Sequence, residues 1–282
     1  MVLRAYAKIN LGLKVLDKRR DGYHNIETVF HRIDLFDELT LEPSAESVEL
    51  TGEGFEVPLD EENLCWKAID ILRARTGTAH GAGIRIMKRI PVGAGLGGGS
   101  SDAAAVLSAL PSLWKISVDP STLADIALEL GSDVPFFLHN RSAFASGRGE
   151  VLNFVKVSVP YWILLVTPNI QISTAWAYSQ IPAFNGAQRK RTKLYDESTC
   201  TIAPLPTLME NDFESVVFAA YPAIGDLKRD LRKWGAEHAL LSGSGSSVFG
   251  LFATEAAASA AADLLRKKYF VSLTPPNFFP SL

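Results

Sequence analysis

Five of the seven residues from Gly93 to Gly99 are glycine, within the stretch PVGAGLGGGSSDAAA (residues 91–105). Each glycine loses more backbone freedom on folding than any other residue. Such a density is retained where the backbone takes positive φ or lies close against something. Ser100, Ser101 and Asp102 follow, and then an alanine-rich apolar run to Leu110. Serine and aspartate are N-cap residues, so a helix is predicted to begin here. Backbone N–H groups leading into a helix N-terminus form an anion site, and phosphate is the anion expected.

Gly93-x-Gly95-x-x-Gly98 also satisfies the dinucleotide-binding pattern, and IRIMKRI (residues 84–90) before it alternates like a strand. That pattern needs an acid about twenty residues on, closing a second parallel strand. Asp119 stands near that distance, but in SVDPS, a turn before a helix. The P-loop pattern fails, because no lysine follows Gly98 or Gly99. A flexible linker is the remaining alternative, and linkers are rarely framed by a strand and a capped helix.

A chain of 282 residues with 47% hydrophobic content can form one large domain or two of ordinary size. The net charge of −3 offers no general attraction to nucleic acid or to anionic membranes. No apolar run reaches the roughly 18 residues of a membrane span. MVLRAYAKIN enters a strand pattern at once and lacks a signal-peptide core, so a cytoplasmic, bacterial setting is expected. Cys65 and Cys200 alone make neither a disulfide framework nor a metal cluster.

Residues 3–15 alternate as a strand. Ala5, Ala7, Ile9, Leu11, Leu13 and Val15 fall on one face, and Arg4, Tyr6, Lys8, Asn10 and Lys14 on the other. Lys8 and Asn10 are thus neighbours on a face that is either solvated or functional. Asp21-Gly22 marks a turn, and strands are predicted over residues 25–35, 38–42 and 48–51. Residues 63–76 have helical periodicity ending at Gly77, and a second helix runs from Pro120, capped by Asp119, to Gly131. Residues 141–157 read as a hairpin broken at residues 147–149. Beyond Pro160 come a buried-type strand (161–167), a helix capped by Ser173 (173–180), helices over 211–219 and 223–234, strands over 239–242 and 248–252, a helix over 254–268 and a last strand over 270–273. Residues 181–206 are polar and proline-punctuated, and QRKRTK (188–193) within them reads as a solvated charge run in a loop. Mixed in this way, the elements predict two α+β units.

Two further features carry open readings. Gly-Ser-Gly-Ser-Ser at residues 243–247 is either an ordinary strand connection or a second loop offering N–H groups and hydroxyls to phosphate. Asp133, between a helix stop and an apolar segment, is either a local cap or turn residue before Pro135 or a carboxylate serving as base or electrostatic anchor. A lysine and a carboxylate that met would make a phosphoryl-transfer set, the lysine stabilising charge and the carboxylate deprotonating the attacking hydroxyl.

At these residues the chain resembles the GHMP small-molecule kinases, which include galactokinase, homoserine kinase and mevalonate kinase. AKINLGLKVLDKRRDGYH (7–24), PVGAGLGGGSSDAAA, LSGSGSSVFGLF (241–252), GSDVPFF (131–137) and NDFE (211–214) carry the resemblance. The glycine block indicates the superfamily. AKINL with DGYH, and GSDVPFF, are similar to the branch that phosphorylates the 2-hydroxyl of 4-diphosphocytidyl-2-C-methyl-D-erythritol in the non-mevalonate isoprenoid pathway.

The resemblance implies an α+β, two-domain GHMP kinase architecture. Residues 1–158 would form a ribosomal-protein-S5-like N-terminal domain, and residues 159–282 a ferredoxin-like C-terminal domain. It implies ATP as co-substrate, with Mg²⁺, and a small-molecule acceptor bearing a cytidine diphosphate group. ATP would lie on Pro91, Val92, Gly93, Ala94, Gly95, Leu96, Gly97, Gly98, Gly99, Ser100 and Ser101, with Asn63 also at the nucleotide. Asp133 would be the base and Lys8 the charge stabiliser. Tyr23 and Tyr178 would stack on the cytosine, His24 would read its edge, and Asn10 and Thr174 would complete the polar contacts; without the resemblance the two tyrosines read as core or surface aromatics. No metal ligand is assigned. The rival readings are another GHMP kinase acting on mevalonate-type substrates or homoserine, a dinucleotide-binding module, and a non-catalytic binding protein of the same fold. The presence of both Lys8 and Asp133 argues against the last.

Overall fold

The computed structural model describes residues 1–181, 194–196 and 201–280. QRKRTK (188–193) and Cys200 lie outside the described residues. The elements in chain order are β1 (Val2–Lys18), β2 (His24–Ser44), β3 (Val48–Gly54), α1 (Leu64–Thr76), β4 (Gly81–Lys88), α2 (Gly98–Trp114), α3 (Pro120–Leu130), α4 (Val134–Phe137), β5 (Ser142–Ser146), β6 (Val151–Val155), β7 (Trp162–Thr167), α5 (Thr174–Gln180), β8 (Tyr195–Asp196), β9 (Thr201–Ile202), α6 (Leu205–Leu208), α7 (Glu214–Ala220), α8 (Pro222–Lys233), β10 (His238–Leu241), β11 (Val248–Phe252), α9 (Glu255–Leu265) and β12 (Phe270–Thr274). Packing divides them into two compact units. One comprises Met1–Ala7, Leu35–Val92 and Gly97–Asn140; the other comprises Lys8–Asp34, Gly93–Leu96 and Arg141–Leu282.

In the first unit β3 lies parallel to β4, with Val48 opposite Ala82, and β4 lies antiparallel to the C-terminal part of β2, with Glu38 opposite Met87. Cys65, Ala68, Ile69 and Leu72 of α1 are buried, as are Ala103, Val106, Leu107 and Leu110 of α2. The ends of α1 follow local chemistry. Asn63 Oδ1 accepts from Cys65 N, and Gly77 closes the helix in the left-handed region at φ 69°. Asp119 caps α3, with Pro120 as its first residue. α2 runs past the apolar stretch that ends at Leu110, through Pro111 to Trp114. Proline removes one donor, but the Trp114 indole is buried and donates to Gly81 O at 2.9 Å, which anchors the last turn.

This topology excludes the dinucleotide-binding unit. There the helix after the glycines returns to a parallel strand beside the first. Here α2 leads into α3 and α4, and the strands pairing with β4 are β2 and β3, which precede it in the chain.

In the second unit β10-β11-β7-β12 form a four-stranded sheet, antiparallel throughout. Read along the chain as β7, α5 to α8, β10, β11, α9 and β12, this is the ferredoxin-like order. Leu164 and Val166 of β7 pack with Val217, Ile224, Leu227 and Leu231 of α7 and α8 and with Ala258, Ala262 and Leu265 of α9. In the same unit residues 28–30 of β2 pair with β5, and β5 pairs with β6 across the turn at residues 147–149.

Two expectations change. The middle of the polar face of β1 is not solvated, because Tyr6, Lys8 and Asn10 are buried while Arg4 at its start is exposed. The two strands expected over residues 25–42 are one 21-residue strand, β2, whose alternation is broken by buried polar residues Thr28, His31, Arg32 and Asp37. Among the described residues no helix is long and apolar enough to cross a membrane.

Candidate active site

In the first unit the chain leaves β4 at Lys88, and α2 begins at Gly98 with Gly97 as its N-cap at φ 69°, ψ 20°. No side chain caps this helix. Ser100, Ser101 and Asp102, expected as caps, lie inside the helix. Ser101 N donates to Gly97 O at 2.9 Å, and its hydroxyl donates to Tyr6 O at 2.8 Å. The positive end of the helix dipole and its first N–H groups are thus left without a side-chain acceptor, the arrangement that suits an anion.

Beneath this turn lies a buried cluster that the sequence did not single out. Lys88 Nζ is 2.6 Å from Asp37 Oδ2 and 2.5 Å from Asp102 Oδ2. Asp37 Oδ1 also accepts from Arg89 N and Ile90 N, at 2.6 and 2.8 Å. One signal was available: in IRIMKRI, Lys88 shares the face of Ile84 and Ile86, both buried. A charge on the apolar face of a strand needs a buried partner. Nearby, Cys65 is fully buried, and burial, reinforced by Asp102, pushes its thiol well above the ordinary range.

Asn63 spends its side chain locally. Oδ1 caps α1, and Nδ2 donates to Pro58 O at 2.7 Å. Asp133 stands at the N-cap position of α4, half-buried, and its side chain makes no capping hydrogen bond. The capping part of the local reading is thus not seen, whereas Asp133 does stand in the turn before Pro135.

In the second unit Lys8 N donates to Leu96 O at 3.0 Å, tying β1 to the glycine stretch. Lys8 Nζ donates to Asn10 Oδ1 at 2.8 Å and sits 4.9 Å from the centroid of the Phe30 ring. Asn10 Nδ2 donates to Thr28 Oγ1 at 2.8 Å, and that hydroxyl donates to Gly12 O. Lys8 and Asn10, expected as neighbours, are thus joined in one buried polar chain.

The two glycine turns meet within this unit. Gly95 has φ 76°, and a Cβ there would lie 2.1 Å from Ser242 O. Ser242 Oγ donates to Gly95 O at 3.0 Å, and Ser247 N donates to Ala94 O at 3.2 Å. Asn211 Nδ2 donates to both Leu241 O and Gly243 O at 2.8 Å, holding the second turn from behind. Thr174 Oγ1 lies 3.2 Å from Ser244 Oγ, which brings Thr174 to the same turn.

The residues expected at the edge and at one face of the cytosine, His24 and Tyr178, touch each other. His24 and Tyr178 stack on each other, with ring centroids 5.3 Å apart and planes 15° from parallel. A base between two rings needs about 7 Å, two contacts of about 3.5 Å, so none fits between this pair. Tyr178 also meets Phe213 edge-on at 4.9 Å. Tyr23 is 55% exposed, and the Arg148 guanidinium lies 4.7 Å from its centroid. Burial holds the His24 imidazole below its ordinary value; Lys18 acts in the same direction and Asp17 opposes them. His24 is therefore neutral near pH 7 and presents one donor and one acceptor.

The chain matches the family models for the GHMP kinases N terminal domain over residues 63–141 and the GHMP kinases C terminal domain over residues 201–271. A 4-diphosphocytidyl-2-C-methyl-D-erythritol kinase of Chlorobium chlorochromatii is 44% identical over 281 residues, spanning 99% of this chain and 97% of that protein. The chain belongs to the 4-diphosphocytidyl-2-C-methyl-D-erythritol kinase family of GHMP kinases. A relative of the same name from Chloroherpeton thalassium is also 44% identical, over 98% of each chain. A crystal structure of 4-(cytidine 5'-diphospho)-2C-methyl-D-erythritol kinase superposes with a TM-score of 0.77 at 34% identity, covering 97% of this chain and 98% of the other. A homoserine kinase from Cytophaga hutchinsonii, at 20% identity and a TM-score of 0.71 over 98% of this chain and 94% of its own, shares the fold. The α+β GHMP architecture expected from the resemblance is thus the architecture of this kinase.

Gly95 has no room for a side chain. Alanine there would meet a carbonyl oxygen and hold positive φ, so Gly95→Ala is expected to destabilise the fold by more than about 2 kcal/mol. Chemical denaturation measures this. A variant of unchanged midpoint would mean that the two turns do not lie in contact.

Proposed function

We propose that this kinase transfers the γ-phosphoryl group of ATP to the 2-hydroxyl of 4-diphosphocytidyl-2-C-methyl-D-erythritol, a step of the non-mevalonate route to isoprenoid precursors. The observation that carries this reading is near-full-length identity of 44% with proteins named for that reaction. The uncapped glycine N-terminus of α2 supports it, being suited to phosphate.

In this reading the ATP phosphates lie along residues 91–101. Asp133 takes the proton of the acceptor hydroxyl as its oxygen bonds to the γ-phosphorus and the bond to ADP breaks. Lys8 stabilises the negative charge of the transferring group. Its place in a buried chain with Asn10 and Thr28 favours that role, since a fixed ammonium shielded from water acts more strongly on nearby charge. Asn63 serves the nucleotide through the helix it caps. Tyr23 stacks on the cytosine, and its ring also attracts the Arg148 guanidinium on the other face. His24, neutral and backed by Tyr178, reads the cytosine edge, and Asn10 and Thr174 complete the contacts.

Mg²⁺ is proposed to arrive with ATP, held by phosphate oxygens and water, and to neutralise their charge. Among the described residues no group of three or more His, Cys, Asp or Glu gathers as a metal cage, and no protein ligand is assigned. The division into a 1–158 half and a 159–282 half belongs to the same proposal. So do a cytoplasmic setting and a small-molecule partner, with no nucleic acid and no membrane.

ADP release with Mg·ATP and a panel of acceptors tests the function. Turnover is expected on the diphosphocytidyl-methylerythritol and not on mevalonate, phosphomevalonate or homoserine; turnover on one of those instead would transfer the reading to another GHMP kinase. Asp133→Asn is expected to lower kcat at least about 100-fold with ATP affinity nearly unchanged. An unaltered kcat would remove Asp133 from the chemistry. Tyr23→Ala is expected to raise KM for the cytidine substrate about tenfold or more, in line with stacking of about 1–3 kcal/mol per base, while KM for ATP stays put. Equal rises for both substrates would rule out stacking.

A further inference from the structure

We propose that Asp102 is a positioning residue whose carboxyl takes up a proton when nucleotide phosphates settle on the N-terminal turn of α2, so that ATP binding is linked to proton uptake. The proposal rests on the placement of ATP on the glycine stretch. It concerns the first unit alone.

Lys88, Asp37 and Asp102 are sealed beneath that turn, with side chains 2%, 0% and 5% exposed. One ammonium stands between two carboxyl groups, and the two are not equivalent. Asp37 accepts three hydrogen bonds, from Lys88 Nζ, Arg89 N and Ile90 N. Asp102 accepts one, from Lys88 through Oδ2, and its Oδ1 is buried with no hydrogen-bond partner. If both acids were ionised, the cluster would hold one negative charge in excess, shielded from water. Such a charge is strongly disfavoured and is relieved by protonation. Oδ1 of Asp102 is the oxygen with room for that proton.

The titratable groups facing Asp102 are Lys88 from β4, Asp37 from β2 and Cys65 from α1. Burial pushes the Asp102 carboxyl up to about 8; Lys88 opposes this and Asp37 adds to it. The Cys65 thiol stays protonated, held far above its ordinary value by burial. The cluster lies directly under the turn, since a Cβ on Gly98 would come within 3.1 Å of Lys88 Nζ. Phosphates on the turn therefore bring more negative charge to the same place. That charge favours the neutral Asp102 carboxyl, and by linkage the neutral carboxyl favours the phosphates.

Calorimetric titration of ATP at about pH 8.5, in two buffers of different ionisation enthalpy, reads the proton count for the wild type and Asp102→Asn. The wild type is expected to take up more protons than Asp102→Asn, which mimics the neutral carboxyl. Its Kd for ATP is expected to rise by up to about tenfold per pH unit above pH 8, a slope the variant lacks. Equal proton uptake in the two proteins overturns the linkage. Carbon-13 carboxyl NMR of Asp102 in the wild type makes the same test without a substitution: a shift toward the protonated form on adding ATP supports it, and an unchanged signal overturns it. Backbone amide NMR shifts of residues 97–101 on adding ATP separate this failure from that of the site. Unmoved amides overturn the placement of ATP and the linkage with it. Moved amides, with equal proton uptake in the two proteins, overturn the linkage alone.

Discussion

Backbone lies against backbone where Gly95 meets Ser242, and a side chain at Gly95 would fill the space occupied by the Ser242 carbonyl. This approach explains why glycine stands at position 95. Gly95 and Gly243 both take positive φ, and their turns exchange hydrogen bonds through Ser242, Ala94 and Ser247. Asn211 then fixes the second turn through two carbonyl oxygens, and its own Oδ1 accepts from Phe213 N. A buried asparagine that meets three backbone groups leaves little freedom to the turn it holds. The loss of conformational freedom at the glycines is offset by this rigid contact.

Charge is the second organising constraint. Phosphate sites attract cations, yet both lysines nearest the glycine stretch in sequence or by hydrogen bond, Lys8 and Lys88, are buried. Each is accommodated differently. Lys8 keeps a neutral partner, Asn10, and an aromatic face, Phe30. Lys88 is bracketed by two acids. A lysine already paired with a carboxylate has less charge to offer a phosphate than one paired with an amide. The two positions therefore suit different tasks: Lys8 keeps more of its charge for an anion, as its proposed role requires, and Lys88 holds the turn.

Much of the fold could be read locally. Asn63, Asp119 and Ser173 cap the helices that follow them, and the hairpin of β5 and β6 turns where residues 147–149 said it would. These features depend on residues within a turn or two of one another. The start of α2 departs from this, because Ser101 and Asp102, good caps by type, are drawn to Tyr6 O and Lys88. Tertiary partners outcompeted the local cap, and the bare glycine turn is the result.

The sequence alone determined where the turns, caps and strand and helix periods lie, and its blocks of similarity pointed to the kinase family. Those follow from residue type and spacing, which act over a few positions. Only the tertiary structure decided that Tyr6, Lys8 and Asn10 of β1 are buried, that Lys88 joins Asp37 and Asp102, and that His24 rests on Tyr178. Each of these needs partners brought together from 14 to 154 positions apart, His24 and Tyr178 being the farthest. Packing around a common core selects such partners, and no local pattern of residue types encodes the choice.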